Sequence, residues 1–110
     1  MRKIEQEMTE AILALKDFKK DNTEVINQSE EHSLAVTLFN NLIYLATPDG
    51  RDFIQSCGFS TATTRSRLNA ILSALEYPGH VYIKQFQMYY HDPTNSRPDT
   101  PMHSTTRIYL

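Results

Sequence analysis

The 110-residue sequence predicts a single small α+β domain spanning residues 1–110, with two helices packed on one face of a mainly antiparallel sheet. The predicted order is α-β-β-β-β-α-β-β, with a further strand at the C-terminal end. Three observations carry this fold. Two stretches place apolar residues every three to four positions, as one helix face requires. The intervening segments alternate with period two between turn signals, as half-buried strands do. Finally, four strand-like segments follow one another directly between the helices, so neighbours pair as hairpins and need no parallel crossover.

The first helix is read from "RKIEQEMTEAILALKDFKK", where Ile4, Met8, Ile12, Leu15 and Phe18 form one stripe and Lys16, Lys19 and Lys20 complement the C-terminal dipole. The period then changes. "TEVIN" and "HSLAVTLF" flank the acidic turn "QSEE", and Asn40 and Asn41 tolerate the left-handed backbone of a tight turn before "LIYLAT". Pro48, Asp49 and Gly50 mark the next turn, and "FIQSC" is the fourth strand. The second helix runs from about Ala62 to Glu76, with Leu68, Ile71, Leu72 and Leu75 on its apolar face and Thr61, Thr63 or Thr64 as its cap. Pro78 and Gly79 end it. "VYIKQFQMYYH" is one long bent strand or a hairpin turning near Gln85 to Gln87. Residues 92–103, with three prolines, read as a loop, after which "STTRIYL" alternates as a strand that pairs back across it. One core is expected from Ile12, Leu15, Phe18, Val36, Leu68, Ile71, Leu72 and Leu75.

Composition narrows the function. The net charge of −2 argues against a dedicated nucleic-acid binder, yet it conceals a gradient. Up to Asp52 there are six Lys/Arg against ten Asp/Glu, and from Phe53 onward five against three, so the halves carry −4 and +2. Any basic patch comes from the second half. No apolar run reaches membrane-spanning length and "MRKIEQEM" lacks the apolar segment of a signal peptide, which points to the cytoplasm. Cys57 is the only cysteine, and at a strand end it reads as a small buried hydrophobe and not a nucleophile. His32, His80, His91 and His103 lack helical ligand spacing, so no metal and no cofactor is expected.

The informative stretch is "CGFSTATTRSRLNAIL". Arg65 and Arg67 fall in or just past the first turn of the second helix, where a cation costs a few tenths of a kcal/mol against the dipole. No acid lies between Phe53 and Leu75 to neutralise them. On one reading, Thr61, Thr63, Thr64, Arg65, Arg67 and Asn69 form an anion or partner-binding site, in which free N–H groups, hydroxyls and forked guanidinium groups hold a phosphate or a carboxylate. On the other, both arginines lie on the exposed side, where their stems cover apolar surface and their heads pair with Asp49, Asp52 or an acid on the first helix. Phe59, Lys84, Tyr89 and Arg97 are secondary surface candidates. Tyr82, Phe86 and Tyr90 share, or nearly share, a face that either stacks bases or packs into the core.

This stretch, with "VTLFNNLIYLA" before it and "VYIKQFQMYY" after it, resembles a family of small proteins from tailed bacteriophages. In that family a Gly-aromatic-x-Thr-x-Thr-Thr-basic-x-Arg-hydrophobic-Asn segment opens a helix. The pattern falls on Gly58, Phe59, Thr61, Thr63, Thr64, Arg65, Arg67, Leu68 and Asn69. "MRKIEQEM" and "KKDNTEV" also resemble the family's N-terminal segment, and the resemblance extends to about Tyr90. Phe59 and Met88 stand where the family usually has Trp. The resemblance implies a phage origin and a common fold unit, and carries no activity with it. The expected function is therefore a non-enzymatic phage accessory protein that binds a host or anti-phage defence protein in the host cytoplasm. The alternative is a nucleic-acid binder using Arg65, Arg67 and the aromatic strand.

Overall fold

The computed structural model describes residues 2–28 and 33–110; most of the acidic "QSEE" turn, and His32, lie outside the described residues. The chain order is α1 (Lys3–Ala14), β1 (Phe18–Lys20), β2 (Thr23–Gln28), β3 (Ser33–Leu38), β4 (Asn41–Ala46), β5 (Phe53–Ile54), α2 (Ala62–Ala74), β6 (His80–Lys84), β7 (Gln87–His91), β8 (Thr100–Pro101) and β9 (Ile108–Tyr109). The α+β class holds, with antiparallel pairing throughout.

The strands form two sheets where one was expected. The larger has the order β1-β2-β3-β4-β5-β9 and the smaller β6-β7-β8. Two local causes separate them. The place beside β5 is taken by β9, which pairs Phe53 with Tyr109 and Ile54 with Ile108. The outer edge of β6 is closed by a side chain: Asn69 of α2 donates its Nδ2–H to the Val81 carbonyl at 2.9 Å and accepts the Val81 N–H at 2.8 Å. A helix residue thus stands in for a neighbouring strand, satisfying backbone groups that another strand would otherwise pair.

Helix α1 is shorter than its stripe suggests. It stops at Ala14 because Leu15 turns left-handed at φ 55°, and the Lys16 N–H closes the end on the Ala11 carbonyl at 2.9 Å. Leu15 is consequently 63% exposed and not a core residue, while Phe18 reaches the core from β1. Lys19 and Lys20 belong to that strand too, and Lys20 pairs with Glu7 across to the helix at 3.1 Å. Period-3.6 spacing continued by chance across a turn.

The core lies between the helices and the two sheets. It joins Met8 and Ile12 of α1, Leu68, Ile71 and Leu72 of α2, Val25, Val36, Ile43 and Ile54 of the larger sheet, and Val81 and Met88 of the smaller one. Leu75 packs partly buried at its margin. The proline-rich segment is more than a loop. Thr100–Pro101 pairs with β7, and Met102 is fully buried, its N–H bonded to the Met88 carbonyl at 2.8 Å and its own carbonyl accepting Ser56 Oγ–H at 3.2 Å. Upstream, Asp92 caps the turn by accepting the Thr94 N–H at 2.9 Å. Strand β9 returns to the larger sheet, on β5, and not across the loop.

"VYIKQFQMYYH" is a hairpin whose turn is Gln85–Phe86, at φ 49° and 66°. Its register sends Val81 and Met88 inward. His80, Tyr82 and Lys84, opposite His91, Tyr89 and Gln87, occupy the outer face. Tyr82 and Tyr90 therefore lie on opposite faces, because a two-residue turn reflects the pattern instead of continuing it. Tyr90 lies over the backbone of Gly79, where an added Cβ would stand 2.2 Å from the tyrosine hydroxyl.

Candidate functional site

The two arginines at the start of α2 part company. Arg67 is 3% exposed, and its Nη1–H donates to Glu5 Oε2 of α1 at 2.8 Å. Its Nε–H donates to Thr23 Oγ1 at 3.0 Å, and the Thr23 hydroxyl passes on to Asn22 Oδ1 at 2.8 Å. Ser66 donates its hydroxyl to the same Glu5 oxygen. Burial pushes the Glu5 carboxyl upward, but the hydrogen bonds from Ser66 and Arg67 and the Arg67 charge outweigh it and hold the group below its ordinary value. Arg67 is therefore buried and not on the exposed side, and of the acids expected as partners the one it meets is on the first helix. Asp52 instead accepts the Thr47 N–H and the Tyr44 hydroxyl, each at 3.2 Å. Glu5 was missed although a signal existed: it stands three and seven residues before Met8 and Ile12, an acid on an apolar stripe.

The other residues of the motif also have definite tasks. Thr61 is the N-cap, accepting the Thr64 N–H at 3.2 Å, and its hydroxyl lies 3.0 Å from that of Thr64, which is buried. Asn69 is the tether to β6. Arg65 is exposed, Thr63 is half-buried, and neither joins the Arg67 network. The six candidates therefore do not converge on one anion; Arg67 and Asn69 are engaged inside the fold.

What the segment does build is an apolar slot of about 200 Å³ at the start of α2, lined by Leu38, Phe39, Ile43, Phe59, Thr61 and Thr64. Phe59 is 50% exposed and Phe39 65%. Phe39 occupies the β3–β4 turn at φ 49° with Asn40 at 63°, and its N–H is held by the Asn22 carbonyl at 2.8 Å. The β6–β7 hairpin brings its tip to the same end, because the Met88 N–H donates to Ser60 Oγ at 3.0 Å, beside Phe59. Phe86 at that tip is 96% exposed. Three of the five phenylalanines thus stand in water at one end of the molecule. Two of them hold a left-handed backbone that a bulky residue rarely adopts and that costs of order 1–2 kcal/mol. Arg65 and Lys84 are exposed at that end also. Sequence reasoning assigned the tight turn to the asparagines and Phe86 to a strand face, and so missed both aromatics; the signal was a phenylalanine directly within each turn dipeptide.

Arg97 falls elsewhere. It borders a shallow groove with Arg107 and Tyr109. There the Arg107 guanidinium lies 4.5 Å from the Phe53 ring centre, and Arg51 lies 5.5 Å from that of Tyr109. Tyr89 stacks on Tyr82 across the outer hairpin face at 5.6 Å. Cys57 donates its thiol to the Leu42 carbonyl at 3.1 Å, and burial pushes its pKa up, away from the nucleophilic thiolate.

The family of the Kyanoviridae Gp96 protein matches residues 1–106. The chain belongs to this phage protein family. No curated protein and no solved structure matches it. The Gp96 match takes in α1, α2, both hairpin tips and Met102, so the slot, the Glu5–Arg67 pair and the Asn69 tether all lie inside the family's extent. Among the described residues no helix is long and apolar enough to cross a membrane.

Proposed function

We propose that the protein is a non-enzymatic phage accessory protein that binds a host or anti-phage defence protein, acting in the host cytoplasm through the Phe39–Phe59–Phe86 end. The observation that carries this reading is the apolar slot lined by the exposed Phe39 and Phe59, with Phe86 exposed at the neighbouring hairpin tip; Phe39 and Phe86 hold left-handed turn backbone. Large aromatics exposed together mark contact surfaces, and a strained backbone that persists at low stability cost elsewhere is typical of such sites. The start of α2, with Thr61 and Thr64, forms one wall of the slot and Arg65 follows exposed in that turn, so the partner segment it suits carries one large apolar anchor with an acidic flank. On this reading the Gly58–Asn69 string forms the slot wall, caps α2 and fixes the helix to both sheets.

The test is an affinity capture from phage-infected host extract, with and without nuclease, followed by binding of the purified captured protein. A protein that survives nuclease and is lost with Phe39→Asn plus Phe86→Asn supports the proposal. Loss of every partner on nuclease treatment, with binding of single-stranded oligonucleotide that falls steeply with salt, replaces it by the nucleic-acid reading. Buried Arg67 removes the surface first expected for nucleic acid, but another offers itself: Arg107 lies over Phe53, Arg51 over Tyr109, and Arg97 borders the same groove as Arg107 and Tyr109.

A further inference from the structure

The outer face of the β6–β7 hairpin carries a cluster that the slot does not use. His80 and His91 are directly opposed in the antiparallel register, so their side chains leave the same face. Their ring centres are 5.2 Å apart. His91 Nδ1 lies 2.8 Å from Asp99 Oδ1, and the Tyr82 hydroxyl donates to the other oxygen of the same carboxylate. Asp99 is brought there by the proline-rich segment, immediately before β8.

We infer that His80 and His91 form a two-histidine site for a divalent first-row transition metal, zinc foremost, with Asp99 orienting His91 from behind. Three observations fit together. A metal–nitrogen bond of about 2.1 Å plus the ring radius puts a metal about 3.2 Å from each ring centre, and a tetrahedral angle then separates the two centres by about 5.2 Å. The observed separation of 5.2 Å leaves room for a metal between the two rings. Second, the Asp99 contact on Nδ1 selects the tautomer that leaves Nε2 as the metal-binding atom, the carboxylate–histidine arrangement found behind metal-bound imidazoles. Third, Tyr82 fixes Asp99, and the stacked Tyr82–Tyr89 pair gives the two histidines a rigid aromatic neighbour. Helical ligand spacing could not reveal the pair, because hairpin register joins residues eleven apart in the chain. Among the described residues no third histidine, cysteine or carboxylate completes a ligand set, so the remaining coordination positions face solvent. Imidazole donors suit zinc, nickel and copper and exclude magnesium and calcium.

The experiment titrates untagged protein with zinc chloride by calorimetry while histidine ring signals are followed by NMR. One equivalent should bind with micromolar affinity, shifting the His80 and His91 rings and leaving His103 unmoved. His80→Ala and His91→Ala should each weaken binding about tenfold or more, Asp99→Asn about tenfold, and His103→Ala should bind as the parent does. Magnesium should not compete. A parent protein that fails to saturate at millimolar zinc, or a His80→Ala/His91→Ala double variant that keeps the parent's affinity, overturns the site. All the substituted positions lie on exposed or half-exposed surface, and far-UV circular dichroism checks that the fold persists.

Discussion

Arg67 is the sixth residue of α2, just past the turn in which the dipole opposes a cation, and Glu5 of α1 meets it in a buried pair. Truncating one partner leaves the other charge buried alone, so Arg67→Ala should lower unfolding free energy by about 3–5 kcal/mol. Replacing both, as Glu5→Leu with Arg67→Met, should recover most of the loss, and urea midpoints of the parent, Glu5→Leu, Arg67→Met and the double variant measure the coupling. The pair also sets an acid dependence. Glu5 is held below its ordinary value of 4.5 in the fold, so its contribution is complete above that pH and is lost as pH falls through the lower folded value. Urea midpoints across the acid range should therefore drop less in Glu5→Gln than in the parent. Cys57 behaves differently: with its thiol bonded to the Leu42 carbonyl and its pKa raised, native protein should react with a thiol reagent far more slowly than urea-unfolded protein, and Cys57→Ser should keep partner binding. Equal labelling rates, with binding lost in Cys57→Ser, would return the cysteine to the list of reactive groups.

At the level of elements, the hairpin tips and the helix–strand tether make opposite predictions. Phe86 and Phe39 hold left-handed backbone at exposed turns, where Asn is better suited. Phe86→Asn should leave thermal stability equal or raise it by up to about 1 kcal/mol, while partner binding falls. A clear loss of stability would show that the aromatic supports the turn and would weaken its assignment to a contact surface. The Asn69 amide, by contrast, satisfies both polar groups of Val81 on the open edge of β6. Asn69→Ala should cost about 2 kcal/mol, with hydrogen-exchange protection lost first along β6. Asn69→Asp keeps an acceptor for the Val81 N–H but cannot donate to its carbonyl, and should fall between the two.

Across the whole molecule, one core serves both sheets, which should unfold together. Leu68→Ala and Leu72→Ala each empty a fully buried site on α2 and should cost about 2–5 kcal/mol. Met102→Ala tests the unity of the fold more directly, because it removes a fully buried side chain that enters the shared core from the segment joining β8 of the smaller sheet to β9 of the larger one. Its loss should lower a single transition, seen alike by tyrosine fluorescence and far-UV circular dichroism. Two separated transitions would mean that the β6–β7–β8 sheet is an independent unit.

The sequence by itself determined the elements whose signal is local. Period-3.6 spacing placed α2 and most of α1, alternation placed β2, β3 and β4, and the cap was narrowed to Thr61, Thr63 or Thr64, of which the structure selects Thr61. The α+β class followed from the order of those elements. Tertiary structure alone decided whatever depends on residues far apart in the chain. Glu5 and Arg67 are separated by 62 positions and meet because α1 packs against α2. Asn69 splits the expected sheet by taking the edge of β6, and Met102 enters the core from a segment whose prolines announce only a turn. The exposed phenylalanines and the facing histidines depend on hairpin register, where a shift of one residue moves every side chain to the other face. Register is fixed by turns and by core packing together, and short-range pattern contains only the first of these.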